Sequence, residues 1–387
     1  MPNTPRFVLD YRSELDGLRA IAVLAVMLGH SVLISKGADF SQPGTVSSLM
    51  LRGGIFGVDI FFVLSGFLIT TLLLQEHQKT GHIKLKEFYK RRMRRLLPAL
   101  FLLSAGSAIY VLLFKADAVK FGLREVALSG IYVSNIVIIR EGFTLGMLTH
   151  TWSLAVEEQF YTLWPLGLVF LLHVRRTALL TIVAMVATSA AVLRLFLFIN
   201  GQPGIATYSL PTRSDGLLIG AAVAMVACWG LLPQSGRGKL ALRWIGVGAG
   251  FLLAIMLALF PSTGDSLFYG TYFLAAVATG LAIAGLICSP SALVTTPLRF
   301  PPLVWIGKIS YGLYLFHMPI YCLTPQWSEP ASATFAFALT FAAATASYYL
   351  VEFRFRSGHT NVRQPPNLVN DVVGSGTTDH AVVKGIA

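Results

Sequence analysis

The chain has 387 residues, of which 55% are apolar and only 12% charged, and it carries a formal net charge of +12. A water-soluble domain has about twice that share of charged residues, so composition excludes a soluble enzyme and a soluble nucleic-acid binder. The three cysteines, Cys228, Cys288 and Cys322, stand in apolar surroundings without metal-site or disulfide-framework spacing and read as packing residues.

Apolar stretches near 18 residues, the length with which a helix crosses a bilayer, recur along the whole chain. They predict an all-α polytopic transmembrane bundle of about ten spans. The stretches are 16–34, 54–75, 96–114, 148–172, 177–199, 208–229, 241–260, 268–288, 303–323 and 332–351. A weaker stretch at 124–140 reads as a half-buried or interfacial helix. The first stretch opens on Asp16 and Arg19 and lacks a small-residue cleavage site, so it reads as a retained span.

Basic residues set the orientation. With the N-terminus inside, most of the 30 Lys and Arg fall on the cytoplasmic side, most densely between Lys79 and Arg95. An even number of spans then places both termini in the cytoplasm. The positive charge is thereby explained as topology, with no nucleic-acid partner. Residues 11–355 form the membrane domain, and the polar, aperiodic residues 356–387 are expected to be a disordered cytoplasmic tail, with no soluble catalytic domain attached. Gly236-Arg237-Gly238-Lys239 fails as a phosphate loop, because Leu240 stands where Ser or Thr is needed.

Ionisable side chains inside a bilayer are costly, and each is a candidate for function. Arg19 lies near the start of the first span and His30 eleven residues later. That spacing puts both on nearly the same helix face, about 16 Å apart along the axis. It also suits the extended arm of an acyl carrier such as coenzyme A. The plainer reading makes Arg19 an inside anchor and His30 an interhelical hydrogen-bonding residue.

Before the third span, Lys90-Arg91-Arg92-Met93-Arg94-Arg95 holds more cations than orientation needs. Arg92 and Arg95, with Arg91 beside them, read either as a forked clamp for phosphate or as contacts to anionic lipid headgroups. The fourth span opens with His150, Trp152, Glu157 and Glu158. Glu157 is a candidate to orient an imidazole, the alternative being an ion pair with Arg194 or Arg213. Asp59 and Ser65 in the second span, Arg213 and Asp215 in the sixth, and Tyr311, Tyr314 and His317 in the ninth complete the set. Together they predict a polar cavity inside the bundle. Arg213 and Asp215 also read as mutually neutralising, and the tyrosines as packing residues. No metal-ligand spacing is present.

The order of these motifs resembles the membrane acyltransferase-3 family over residues 11 to about 352. The resemblance is carried by Leu15-Asp16-Gly17-Leu18-Arg19 through His30, Gly57-Val58-Asp59 through Ser65-Gly66-Phe67, Arg92-Met93-Arg94-Arg95 before Pro98, Trp152-Ser153-Leu154 with Glu157, and Ser310-Tyr311-Gly312-Leu313-Tyr314-Leu315-Phe316-His317. It implies a multi-pass protein of the bacterial inner membrane that moves a short acyl group from acetyl-CoA or another acyl-CoA onto a hydroxyl. On that reading His30 is the general base, Glu157 its orienter, and Tyr311 or Tyr314 the oxyanion donor. Arg19, Arg91, Arg92 and Arg95 hold the phosphates of the donor. A small lipophilic acceptor such as a macrolide is expected from the chain's length, with envelope polysaccharide or lipid-linked sugar as the alternative. A secondary transporter is the rival from another class, since it too uses intramembrane Arg, His and Glu.

Overall fold

The computed structural model describes residues 9–31, 53–142, 146–260, 264–324 and 329–356. The end of the first predicted span and the tail expected from 356 onward lie outside these residues, apart from Arg356 itself. The helices are, in order, α1 (Ser13–His30), α2 (Gly54–Thr80), α3 (Leu85–Phe114), α4 (Val119–Gly130), α5 (Ser134–Glu141), α6 (Trp152–Leu171), α7 (Arg176–Ile199) and α8 (Pro203–Tyr208). They continue as α9 (Leu210–Cys228), α10 (Gly236–Leu259), α11 (Thr271–Cys288), α12 (Ala292–Leu298), α13 (Pro301–Lys308), α14 (Ser310–Leu323) and α15 (Glu329–Ala346). A π-helical turn, Ser347–Glu352, leads into the short α16 (Phe353–Arg356). No strand occurs among the described residues. The molecule is an all-α, multi-pass membrane protein.

Among the described residues, six helical segments are long and apolar enough to cross a membrane: α2, α3, α7, α10, α11 and the run from Ala331 to Phe355. The count of about ten rests on four further segments that do not meet that measure. The physical reason is the ionisable residues these segments carry, or a break in the helix. Helix α1 carries Glu14, Asp16 and Arg19, α6 carries Glu157 and Glu158, and α9 carries Arg213 and Asp215. The predicted ninth span is divided at Ile309 into α13 and the 14-residue α14.

Helix α2 is the axis of the bundle. It packs against α1, α9 and α11, and most of its side chains are buried. Close approach comes from glycines, as expected where lipid gives no hydrophobic drive and contact alone holds helices together. A Cβ at Gly66 would fall on the main-chain carbonyl of Leu217, and one at Gly220 on that of Val63. Helices α2 and α9 therefore meet backbone to backbone just where their polar residues sit.

The arginine-rich segment, placed by the sequence before the third span, is the start of α3. This helix runs 30 residues, about 45 Å, longer than the roughly 30 Å hydrocarbon core. Its first turns carry the cations beside α6: the Tyr89 hydroxyl donates to the Thr162 carbonyl at 2.8 Å. The weak stretch at 124–140 is two short helices, α4 and α5, each too short to cross. They are divided at Tyr132, whose φ of 59° makes it the one described non-glycine residue in the left-handed region, a conformation that costs energy and is held by surrounding packing.

Helix α4 contributes Glu125, buried beneath the 3₁₀ segment Gly146–Thr151 that leads into α6. Its carboxylate accepts the Leu148 N–H. Burial outweighs that single donor and pushes the Glu125 carboxyl up to about 7. Between the ordinary glutamate range and pH 7 the folded protein thus holds a proton that the unfolded chain has lost. Stability from this group is full at low pH and declines as pH rises through about 7. Glu125→Gln is therefore expected to gain on the wild type between pH 5 and pH 8, with a melting-temperature difference that grows by on the order of 3 °C. Parallel thermal scans of the two proteins check this; a constant offset would remove the titration argument.

Candidate functional site

The first part of the site is a cleft between α1, α2, α3, α6 and α14. Arg19, Arg92 and Arg95 line it, followed by Ser65, Glu157, Tyr311, Ser153 and Tyr314. The free volume is about 130 Å³, room for about four waters. That suits a short acyl group or a thin thioester arm rather than a glycan. Arg92 forks onto Glu158, with Nη2–Oε1 at 2.7 Å and Nε–Oε1 at 3.2 Å, and its guanidinium lies 3.2 Å over the Tyr161 ring. Arg19 pairs with Asp16 one turn earlier at 2.9 Å. Arg95 is exposed and lines the cleft. Arg91 points away, 62% exposed and 3.8 Å from Glu76, and has no place in the lining.

Glu157 accepts from Ser65 and lies 3.4 Å from the Tyr161 hydroxyl. It does not reach an imidazole, so its expected role as orienter of His30 is replaced by another pairing. The tyrosines also differ from expectation. The Tyr314 hydroxyl donates to the His150 carbonyl at 2.7 Å, which makes Ser153 the donor in the 2.5 Å contact between the two hydroxyls. The Tyr311 hydroxyl donates to the Leu96 carbonyl at 3.1 Å. Each phenol has one proton, and in this arrangement neither is available to an oxyanion.

Behind Tyr314 three histidines meet. His30 Nδ1 lies 3.0 Å from His317 Nε2, with the rings stacked 5.2 Å apart. His150 packs edge-on against His317 at 5.1 Å. His317 and His150 are buried, whereas His30 is half-buried at the C-terminal end of α1. Pro319 explains how His150 is held. Proline has no N–H, so the Leu315 carbonyl one turn earlier loses its helical partner, and His150 Nε2 takes that carbonyl at 3.2 Å. Among the described residues no group of three or more His, Cys, Asp or Glu is disposed to hold a metal ion.

The remaining predicted residues lie elsewhere. Arg213 pairs with Asp59 at 2.6 Å and Arg194 with Asp215 at 2.8 Å, all four buried. The expected Arg213–Asp215 pair is thus exchanged for two crosswise pairs tying α2, α7 and α9. Trp152, Phe62 and Tyr272 cover Arg213, the last with its ring 4.1 Å away. None of the four charges lines the cleft. They form a sealed knot beside it rather than a wall of it.

The comparisons with known proteins meet this geometry. A family model described as an acyltransferase domain matches residues 12–352. The chain belongs to this acyltransferase family. Its relatives include the peptidoglycan O-acetyltransferase OatA of Listeria monocytogenes, 35% identical over 375 residues, which cover 94% of this chain and 58% of that protein. The O-acetyltransferase OatA of Staphylococcus aureus is 35% identical over 323 residues, 80% of this chain and 50% of the relative. The putative peptidoglycan O-acetyltransferase YrhL of Bacillus subtilis is 31% identical over 370 residues, 90% and 55%. The chain thus spans roughly half the length of the curated relatives it matches. No solved structure matches.

For a family member, several residues of the site escaped the reading of the sequence. Ser153 entered only within the Trp152-Ser153-Leu154 motif, with no role of its own, and Tyr161 read as an ordinary member of an apolar helix. Tyr132 lines the cleft from a strained turn, and its carbonyl accepts from Gln159 at 3.2 Å. No local pattern announces such a turn. Ser153 has a signal in retrospect: it precedes Glu157 by four residues and so lies one turn away on the same face.

Proposed function

We propose that this acyltransferase moves an acetyl or similarly short acyl group from acyl-CoA onto a hydroxyl of a cell-envelope glycan, of the peptidoglycan class. The observation that carries the reading is the cleft, cationic at the Arg19, Arg92 and Arg95 end and closed by Tyr314, with His30 and His317 behind it. The acceptor class follows the names of the relatives, two of which are described as peptidoglycan O-acetyltransferases, one of them putatively. The small macrolide-like acceptor rested on chain length. The greater length of the relatives removes that support, and the envelope alternative takes its place.

In this reading the donor's phosphates sit at the cationic end, and the thioester arm runs along the cleft toward Tyr314. Arg92, held by Glu158 and the Tyr161 face, is a positioning group as much as a ligand. Arg95, exposed at the same end, is the cation best placed to meet a phosphate. His30 takes the proton of the acceptor hydroxyl, whose oxygen attacks the thioester carbonyl.

Arg95→Gln is expected to weaken acyl-CoA binding about tenfold, the loss of one charge-assisted hydrogen bond. Turnover at saturating donor should be little changed. The test is calorimetric titration of acetyl-CoA into purified protein in nanodiscs, followed by mass spectrometry of muropeptides incubated with both. Absence of any acetyl-CoA binding by the wild type would sink the donor assignment and revive the transporter.

A further inference from the structure

The hydrogen bonds around the histidines fix more than their positions. The main-chain carbonyl of Tyr314 lies 2.7 Å from His317 Nδ1. A carbonyl oxygen only accepts, so the Nδ1 of His317 carries a proton. A neutral His317 then has a bare lone pair on Nε2. That atom lies 3.0 Å from His30 Nδ1, so His30 must supply the proton of the contact. With Nδ1 protonated, the Nε2 of neutral His30 is left as a lone pair. One carbonyl on α14 thus sets the tautomer of two rings in succession.

We propose that His317 is the positioning residue of the reaction: it holds the proton of His30 on Nδ1 and leaves Nε2 as the basic atom. This rests on the general-base reading of His30 given above. Among the described residues no carboxylate is bonded to the pair; Glu157 instead accepts from Ser65 and lies beside the Tyr161 hydroxyl. The groups that face it are His150 from the 3₁₀ segment, and Tyr314 and Tyr321 from α14. A neutral imidazole therefore does here what a carboxylate does for many histidine bases. It fixes the ring without adding a negative charge to an apolar bundle, where an unpaired charge is costly.

The acceptor O–H gives its proton to His30 Nε2 as the oxygen bonds to the thioester carbonyl carbon. The resulting imidazolium donates from Nδ1 to the His317 lone pair. Collapse of the adduct breaks the C–S bond, and the departing thiolate takes the proton back from Nε2. His30 returns to its starting tautomer, which His317 has held throughout.

The test begins on the wild type, which needs no substitution. Imidazole nitrogen NMR of ¹⁵N-histidine-labelled protein, with His30→Gln to assign the signals, should show a protonated Nδ1 and an unprotonated Nε2 for His30. His317→Ala should lower kcat at least a hundredfold with KM for acetyl-CoA unchanged, and should mix the His30 tautomers. His317→Gln, whose side-chain carbonyl can accept from His30 Nδ1, should recover kcat to within about tenfold of the wild type, whereas His317→Leu, which fills the space without an acceptor, should stay as slow as His317→Ala. A His30 proton found on Nε2 in the wild type, or an unimpaired kcat in folded His317→Ala, overturns the proposal while leaving His30 as base. Retained turnover in His30→Ala overturns the general-base reading itself and the positioning role with it.

Discussion

Replacing His30 with alanine is expected to lower kcat for acyl transfer by about a hundredfold to ten-thousandfold, the usual contribution of a positioned general base. Binding of acetyl-CoA should stay close to wild type, since the residues lining the cleft do not include His30. His30→Gln should be as inactive as the alanine variant, because an amide fills the space but cannot hold a proton. Substitution of His150 should be milder. That ring is buried, has its Nε2 on the Leu315 carbonyl, and lies against Tyr314 and His317, so its loss disturbs packing before chemistry. The measurement is steady-state turnover with labelled acetyl-CoA, beside a binding isotherm for each variant. A His30→Ala protein that folds, binds donor and turns over at the wild-type rate would remove the histidine from the mechanism.

Much of this was legible in the sequence, for reasons that can be named. A bilayer penalises charge so heavily that Arg19, His30, Asp59, Glu157, Arg213 and His317 stood out in apolar runs before any fold was known. Their helices followed from length and hydropathy, and the Arg19–His30 spacing followed from helix geometry. The partners were not legible. Which carboxylate meets which guanidinium depends on how helices rotate against one another. Glycines such as Gly66 and Gly220 set that rotation through contacts far apart in sequence. So Arg92 was read as a clamp for phosphate or a contact to lipid headgroups, whereas Glu158 and Tyr161 already hold it.

The same limit explains Glu157 and the tyrosines. Residue types suggested an acid orienting an imidazole, the commonest solution for a histidine base. The fold gives that position to a second histidine from α14 instead, and its proton is set by a main-chain carbonyl that no sequence motif encodes. The arginine segment was divided from the third span because its charges interrupt the hydropathy. The helix runs straight through them, since Arg and Lys are good helix formers and the interface tolerates their charge.

Arg213→Met is expected to be the most damaging single change to the fold. Arg213 is fully buried, bonded to Asp59 at 2.6 Å and stacked on Tyr272. Removing it leaves the buried Asp59 carboxylate without its ion-pair partner, and breaking a buried pair in this way costs about 3–5 kcal/mol. That is a large part of the stability of most domains, so little folded protein should be recovered after detergent extraction. Removing both partners is another matter. Asp59→Leu with Arg213→Met leaves no stranded charge and keeps the volume apolar, and such replacements are often neutral or stabilising. The double variant should therefore recover much of the folded yield and melting temperature that the single variant loses. Arg124→Ala provides the contrast, because its partner Glu141 is solvent-exposed on α5 and an exposed pair adds little; its melting temperature should match the wild type. If the double variant is no better than Arg213→Met alone, the knot is needed for its hydrogen bonds and shape rather than for neutrality. It would then belong to the architecture that sets α2 against α9, and so to the geometry of the cleft.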